Sequence, residues 1–336
     1  ITGCNTNNGG ESINEEGTIT GDCGEKSDNE FRDGTVCPLL NKALKKVNAS
    51  VRFYQGANYP EFIKNLPSLV GDVYQISNKE ELYAFAQLVN KKVDASANAV
   101  LTADIVVNSG LAEGKTMLES LEYDASGNVT NGSSFVAWTP IGNAEYKGTF
   151  DGQGHTISGL YFNDSKVESI GLFGSVYEGY VKNVGVVDSY FCGNAWVGGV
   201  CGWAGNSRIE NCYNEGTVYG SDDRTGGVCG DVSMSTIENC YNEGTVFCLD
   251  GDAGGVCGDV VDGTIINCHN SGSVSGGCHV GGVCGMVNIC DTDKSYMINC
   301  YNTGDVKGVG TSVSLTTGGV CGLFNRSIYL NCYNTG

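Results

Sequence analysis

Seventeen cysteines stand in 336 residues, and ten of them fall at two recurring positions. One set is Cys201, Cys229, Cys257, Cys284 and Cys321, and the other is Cys212, Cys240, Cys268, Cys300 and Cys332. Thiols in such number can bond to each other, hold a metal or attack a substrate. No CxxC pair occurs, which argues against a zinc ribbon or finger. A disulfide within one repeat, such as Cys201 to Cys212, needs Cβ atoms about 3.5–4.5 Å apart. Residues 11 apart meet that condition only if they flank one corner. Bonding along a column fails because one cysteine cannot serve both neighbours. Buried free thiols, small, soft and apolar, are the favoured reading, and in-repeat disulfides stay open. Metal binding or catalysis by the columns is not expected.

Tyr213, Tyr241, His269, Tyr301 and Tyr333 each follow the second cysteine. If that cysteine points inward, strand alternation turns these rings outward. Exposed rings can stack on sugars or anchor a protein partner; the alternative is rings that stack only on each other. Asn214, Asn242, Asn270, Asn302 and Asn334 precede a glycine by two residues. Asparagine tolerates left-handed turns, and its amide can bond the amides above and below.

Polysaccharide cleavage would need converging carboxylates, or a base beside acidic metal ligands. Residues 170–336 hold 16 acidic and six basic residues, and the acids shift from copy to copy. Glu210 and Glu238 give way to Ile266, and Asp231 and Asp259 align with Trp203, so no repeat is chemically distinct. Asp151 and His155, beside the polar stretch 109–134, are the candidates for such a site. Asp222–Asp223, Asp250 with Asp252, and Asp291 with Asp293 lie in turns and could hold Ca²⁺. Solvated acidic loops are the preferred reading, and neither a metal nor a cofactor is expected.

These residues must be positioned by a repeat. VGGVCGWAGNSRIENCY at 197–213 returns as TGGVCGDVSMSTIENCY at 225–241 and AGGVCGDVVDGTIINCH at 253–269. GGVCG recurs at 198, 226, 254, 281 and 318, and NC[YH]N at 211, 239, 267, 299 and 331. A period near 28 residues marks a solenoid whose repeats bury their apolar faces on their neighbours. Three short strands and three turns per period predict an all-β, right-handed parallel β-helix, with equivalent residues stacked about 4.8 Å apart. The net charge of −19 repels nucleic acid and anionic membranes, and no apolar run is long enough for a span. The chain starts at Ile1 with no signal-peptide pattern, so a secreted form is expected to have lost it or to carry it elsewhere.

Three regions are expected. Residues 1–67 hold a partial coil, a helix within 33–47 capped by Asp33, a strand at 51–55 and a turn at Tyr59-Pro60. Residues 68–99 hold a capping helix at 77–90, with Ser77 and Glu80 as its capping box. Residues 100–336 form the β-helix, beginning with a strand at 100–108 and an insertion loop at 109–134. Phe150, Ile157 and Leu160 are expected inward. The sequence stops in mid-coil after NCYNTG. That last coil is expected to be covered by a neighbouring chain or by residues 1–65, which allows end-to-end self-association through open coil ends.

GLFG at 171–174 and the GGVCG copies, each followed by I-x-N-C-Y-x-x-G-x-V, resemble the GLUG repeats of bacterial cell-surface proteins. Y-x-I-S-x-x-E-E-L (74–82), L-T-A-D-I (101–105), W-T-P-I-G (138–142) and G-T-F-D-G-x-G-H-T-I-S-G-L (148–160) resemble that family's lead-in. The resemblance covers about 72–336. It implies an extracellular, adhesin-like module, of a kind also found in non-catalytic regions of IgA-peptidase-type surface proteases, many from gut bacteria. Its partners would be a glycan or a host surface protein. It also implies that His155, in GHTISG, is a coil residue. Residues 33–60 are similar to the segment that comes after the last GLUG repeat in that family, although here they come first. No HExxH motif is present, so the proteases' catalytic association does not carry over.

Overall fold

The repeats wind into a parallel β-solenoid in the computed structural model, which describes residues 28–46, 48–57, 60–289, 295–310 and 314–336. Its ten-stranded sheet begins with Ser68–Val70, which is antiparallel to Val73–Ile76. The remaining nine strands are parallel, one per coil, and run from Val73–Ile76 to Ile328–Leu330. A six-stranded sheet, a five-stranded sheet and a twelve-stranded sheet complete the coils.

Register follows the sequence repeat. Ile209 pairs with Ile237 and Ile237 with Ile265, and these side chains are fully buried with Met297. Val200, Val228, Val256 and Val283 fill the core at another corner. β-branched side chains dominate these inward positions, which suits short strands stacked without offset.

The corners are set by an asparagine column, though not the expected one. Asn183, Asn211, Asn239, Asn267, Asn299 and Asn331 have φ between 51° and 54°. Asn214, Asn242, Asn270 and Asn302 are instead fully buried, in strands or directly paired across them. Their amides bond in a chain: Asn214 Nδ2 to Asn242 Oδ1 at 2.8 Å, Asn242 to Asn270 at 2.7 Å, Asn270 to Asn302 at 2.8 Å. The second glycine of each GG pair makes room for them. A Cβ on Gly199 would lie 2.5 Å from Asn214 Oδ1.

Helix α1 spans Asp28–Arg32, α2 Val36–Lys46 and α3 Lys79–Asn90. Asp33 lies before α2 and accepts from the Thr35 N–H at 2.9 Å, an Asx turn leading into the helix. Helix α3 buries Leu82, Phe85, Leu88 and Val89 on the first coils. Its cap is shifted one residue from expectation. Asn78 Oδ1 accepts from Glu81 N at 3.0 Å, and Glu81 Oε2 accepts from Ser77 N at 2.7 Å.

Arg52–Gln55 pairs antiparallel with Pro60–Ile63, so Pro60 begins a strand, and Tyr59 of the expected turn lies outside the described residues. The first-strand expectation divides in two, at Asn98–Leu101 and Ile105–Val106. The described residues between 28 and 66 do not cover the last coil. They sit at the opposite end, where Lys45 meets Asp72 at 3.1 Å and Leu69 N donates to Asn48 Oδ1 at 2.9 Å. Chain connectivity explains this, because Leu66 and the first coil strand are only a few residues apart. Residues 1–27, with their expected half-coil, lie outside the described residues.

The 109–134 loop folds against the outside of the stack. Met117 and Leu121 pack with Phe135, Tyr161, Tyr190 and Cys192. The Asp188 carboxylate accepts from Met117 N at 2.7 Å and Leu118 N at 2.8 Å, pinning the loop.

Candidate functional site

The aromatic column is continuous. Tyr213 stacks on Tyr241 at 4.8 Å between centroids, Tyr241 on His269 at 5.0 Å, His269 on Tyr301 at 4.7 Å and Tyr301 on Tyr333 at 5.3 Å. All four pairs are within 12° of parallel. At its near end the Tyr213 ring lies over Gly185, where any Cβ would overlap it. Except for the outer face of Tyr333, the ring faces are therefore used by their neighbours, and edges and hydroxyls are what the ladder offers to solvent. Burial pushes the Tyr241 phenol up to about 12, and burial lowers His269 below the ordinary imidazole range, with Glu243 opposing. Tyr333, 55 % exposed, is the most open ring of the column.

The two cysteine columns lie apart, one in a sheet and one at a corner. Cys201, Cys229, Cys257, Cys284 and Cys321 pair in register in the six-stranded sheet. Cys212, Cys240, Cys268, Cys300 and Cys332 each stand just before a strand of the twelve-stranded sheet, with a strand such as Arg208–Glu210 between the columns. Nine of the ten thiols have a carbonyl acceptor two residues away, as Cys201 donates to Trp203 O at 3.0 Å and Cys212 to Glu210 O at 3.2 Å. Cys240 Sγ also receives Cys212 N at 3.4 Å. All ten are free, and eight are buried, with Cys321 and Cys332 partly exposed. Burial pushes the thiols of Cys212, Cys240, Cys257 and Cys268 well up, so they stay protonated and unreactive.

Asp151 and His155 have separate partners. Asp151 Oδ1 accepts from Gln153 N and Asn183 Nδ2, each at 2.9 Å, and Oδ2 lies 3.3 Å from Lys182 Nζ. Burial raises this carboxyl, but those bonds outweigh burial and hold it below the ordinary range. A general acid needs the reverse. Asp151 is in fact the end stop of the corner ladder, since Asn211 Nδ2 donates to Asn183 Oδ1 at 2.9 Å and Asn239 Nδ2 to Asn211 Oδ1 at 3.2 Å. His155 Nδ1 meets Asp104 Oδ1 at 3.2 Å, and Asp104 also accepts Thr156 N at 2.8 Å. The 109–134 loop is anchored instead at Asp188.

A different patch breaks the repeat. Two residues before each GG stand Trp196, Arg224, Asp252, His279 and Thr316, and directly after GGVCG stand Trp203, Asp231, Asp259, Met286 and Leu323. Arg224 pairs with Asp231 of its own coil, with Asp259 Oδ2 of the next at 3.1 Å and with Asp223 at 3.6 Å. The Arg224–Asp259 contact is off the N–H axis, an ion pair without a hydrogen bond, and both Asp259 oxygens are buried with no hydrogen-bond partner. Burial pushes Asp259 up to about 7, Asp231 and Asp252 add to this, and Arg224 opposes it.

Asp252 Oδ1 lies 2.7 Å from His279 Nδ1 and 3.2 Å from His279 N. Cys278 Sγ lies 3.5 Å from Nδ1 and 4.0 Å from Nε2. Asp252, Cys278 and His279 are thus a cluster able to hold a metal. Asp252 is 6 % exposed, so it is no solvated turn acid. Asp291 and Asp293 lie outside the described residues. The expectation that no repeat is chemically distinct fails here. Its signal was the variation just outside GGVCG, which comparison of the copies for identity discards.

A cavity of about 510 Å³ between α2 and α3 is lined by Lys42, Lys45, Arg52, Lys91 and Lys92. Arg52 donates to Ala49 O at 2.6 Å and Val51 O at 2.8 Å, Lys45 meets Asp72, and Lys91 lies over the Tyr54 ring. These three cations are engaged elsewhere and do not converge on a ligand. Among the described residues no helix is long and apolar enough to cross a membrane.

Residues 193–219 match the GLUG motif. A stretch of 125 residues, 34 % of this chain, is 33 % identical to Halomucin of Haloquadratum walsbyi, and the match spans about 1 % of Halomucin's length. The fold is similar to the crystal structure of a Bacteroides ovatus protein provisionally named an immunoglobulin A1 protease. The TM-score is 0.54 at 23 % identity, over 78 % of this chain and 74 % of that one. The GLUG resemblance and the parallel β-solenoid both stand; at that identity the structural match speaks to fold alone.

Proposed function

We propose that this GLUG-bearing chain is a non-catalytic module of an extracellular or cell-surface protein, an adhesin-like β-solenoid rod that displays or binds. One observation carries the reading: the repeated residues use their chemistry on each other. Nine of the ten column thiols, the two asparagine columns and the aromatic faces inside the column find partners within the stack. Residues with no unspent group build stiffness and length. The free ring edges of Tyr213, Tyr241, His269, Tyr301 and Tyr333, with the four tyrosine hydroxyls, are the surface for a glycan or a host protein. The acidic surface disfavours nucleic acid. A glycan array and a binding screen against host surface proteins test this. A ligand whose binding falls on Tyr241→Ala supports the binding role. Turnover of pectin- or mucin-type polysaccharide, lost on Asp151→Asn or His155→Gln, would replace it with the enzyme reading.

A further inference from the structure

Asp252 and the Cys278-His279 pair come from successive coils, brought together because Ala253 pairs with Val280. Their three donor atoms lie within 4.8 Å of one another. Ligand atoms on a tetrahedral ion with bonds of about 2.0–2.3 Å sit roughly 3.3–3.8 Å apart. The 3.5 Å from Cys278 Sγ to His279 Nδ1 already matches, and the 2.7 Å Asp252–His279 hydrogen bond must open to admit the ion.

The surroundings favour a cation. Asp223, Asp231 and Asp259 share the patch with Asp252, and the guanidinium facing the first three is that of Arg224. Asp231 Oδ1 and both oxygens of the fully buried Asp259 lack a hydrogen-bond partner. Buried negative charge in excess of positive is costly unless an ion compensates it. Ca²⁺ and Mg²⁺ take all-oxygen shells. A carboxylate, an imidazole and a thiolate suit zinc and its close analogues.

We propose that Asp252, Cys278 and His279 bind one divalent ion of the zinc class, which clasps two consecutive coils. On binding, the Cys278 S–H releases its proton to solvent and the sulfur becomes a thiolate ligand. The neutral His279 imidazole gives a nitrogen lone pair, and the Asp252 carboxylate gives an oxygen. Cys278 and His279 are partly exposed, which provides an entry path and a fourth position for water. The aligned residues Trp196, Arg224 and Thr316 make the site specific to this coil pair.

The test is cobalt titration of the full chain, stripped by a chelator and kept reduced. We expect one ion per chain, a thiolate-to-cobalt charge-transfer band, displacement by zinc, and a melting temperature raised by zinc. Cys278→Ser should abolish the band, and His279→Gln and Asp252→Asn should each weaken binding about tenfold or more. Circular dichroism checks that each variant folds; if Cys278→Ser does not, Asp252→Asn decides by the same readout. No stoichiometric binding, or a band unchanged in the variants, overturns the proposal.

Discussion

The imidazole of His269 lies on the phenol ring of Tyr301 with centroids 4.7 Å apart and planes 3° from parallel. Tyr241 covers its other face at 5.0 Å. One imidazole has thus been built into an otherwise phenolic column, and that has a consequence for stability.

His269 should titrate below the ordinary imidazole value near 6.5, because burial between rings disfavours its charge and Glu243 only partly compensates. A depressed folded value means the unfolded chain binds the proton more readily. The contribution of His269 is therefore whole above pH about 6.5 and is lost as pH falls toward the folded value. NMR titration of the three histidines checks the value. Denaturation across that range should show a smaller acid loss in His269→Tyr than in the parent chain.

The buried amide chain makes a second prediction. Asn242→Ala removes the acceptor of Asn214 Nδ2 and the donor to Asn270 Oδ1, both inside the stack. Leaving these groups unpaired should cost about 2–4 kcal/mol. Gly227→Ala should be at least as harmful, since its Cβ would overlap Gly255 O and the Asn242 amide. Asn239, with φ 52°, lies on the surface ladder. Asn239→Gly, which keeps that backbone shape, should cost under about 1 kcal/mol. Thermal melts of the three variants give the order.

The thiols make a third. The ten column cysteines are free and mostly buried. In the folded chain under reducing conditions their reaction with a thiol reagent should be slow, and it should rise sharply on unfolding. Column thiols still blocked after unfolding without reductant would mean disulfides, and with them a different corner geometry.

The solenoid was legible in the sequence because a stacked coil repeats its constraints. Every inward Ile, Val and Cys meets its own copy or a close substitute, so the pattern survives as a period near 28. The two asparagines of N-C-Y-N were harder. Both recur, and only the backbone shows that Asn211 turns the corner while Asn214 lies inside. The helix cap moved from Ser77 to Asn78 because two adjacent capping residues compete for one helix start. Ring orientation was invisible as well, since alternation places Tyr241 outside without saying that its faces are covered. The Arg224, Asp252 and His279 patch was missed for a physical reason. It exists only when register lays the position two before GG in one coil against its counterpart in the next.

Cleavage is the most direct test of a non-catalytic rod. Intact-mass spectrometry of immunoglobulin A1 and of a mucin-type glycopeptide, after incubation with the zinc-loaded full chain, gives the answer. Both masses should be unchanged. Defined fragments that disappear with Asp151→Asn, His155→Gln or Cys278→Ser would contradict the reading and make this an enzyme.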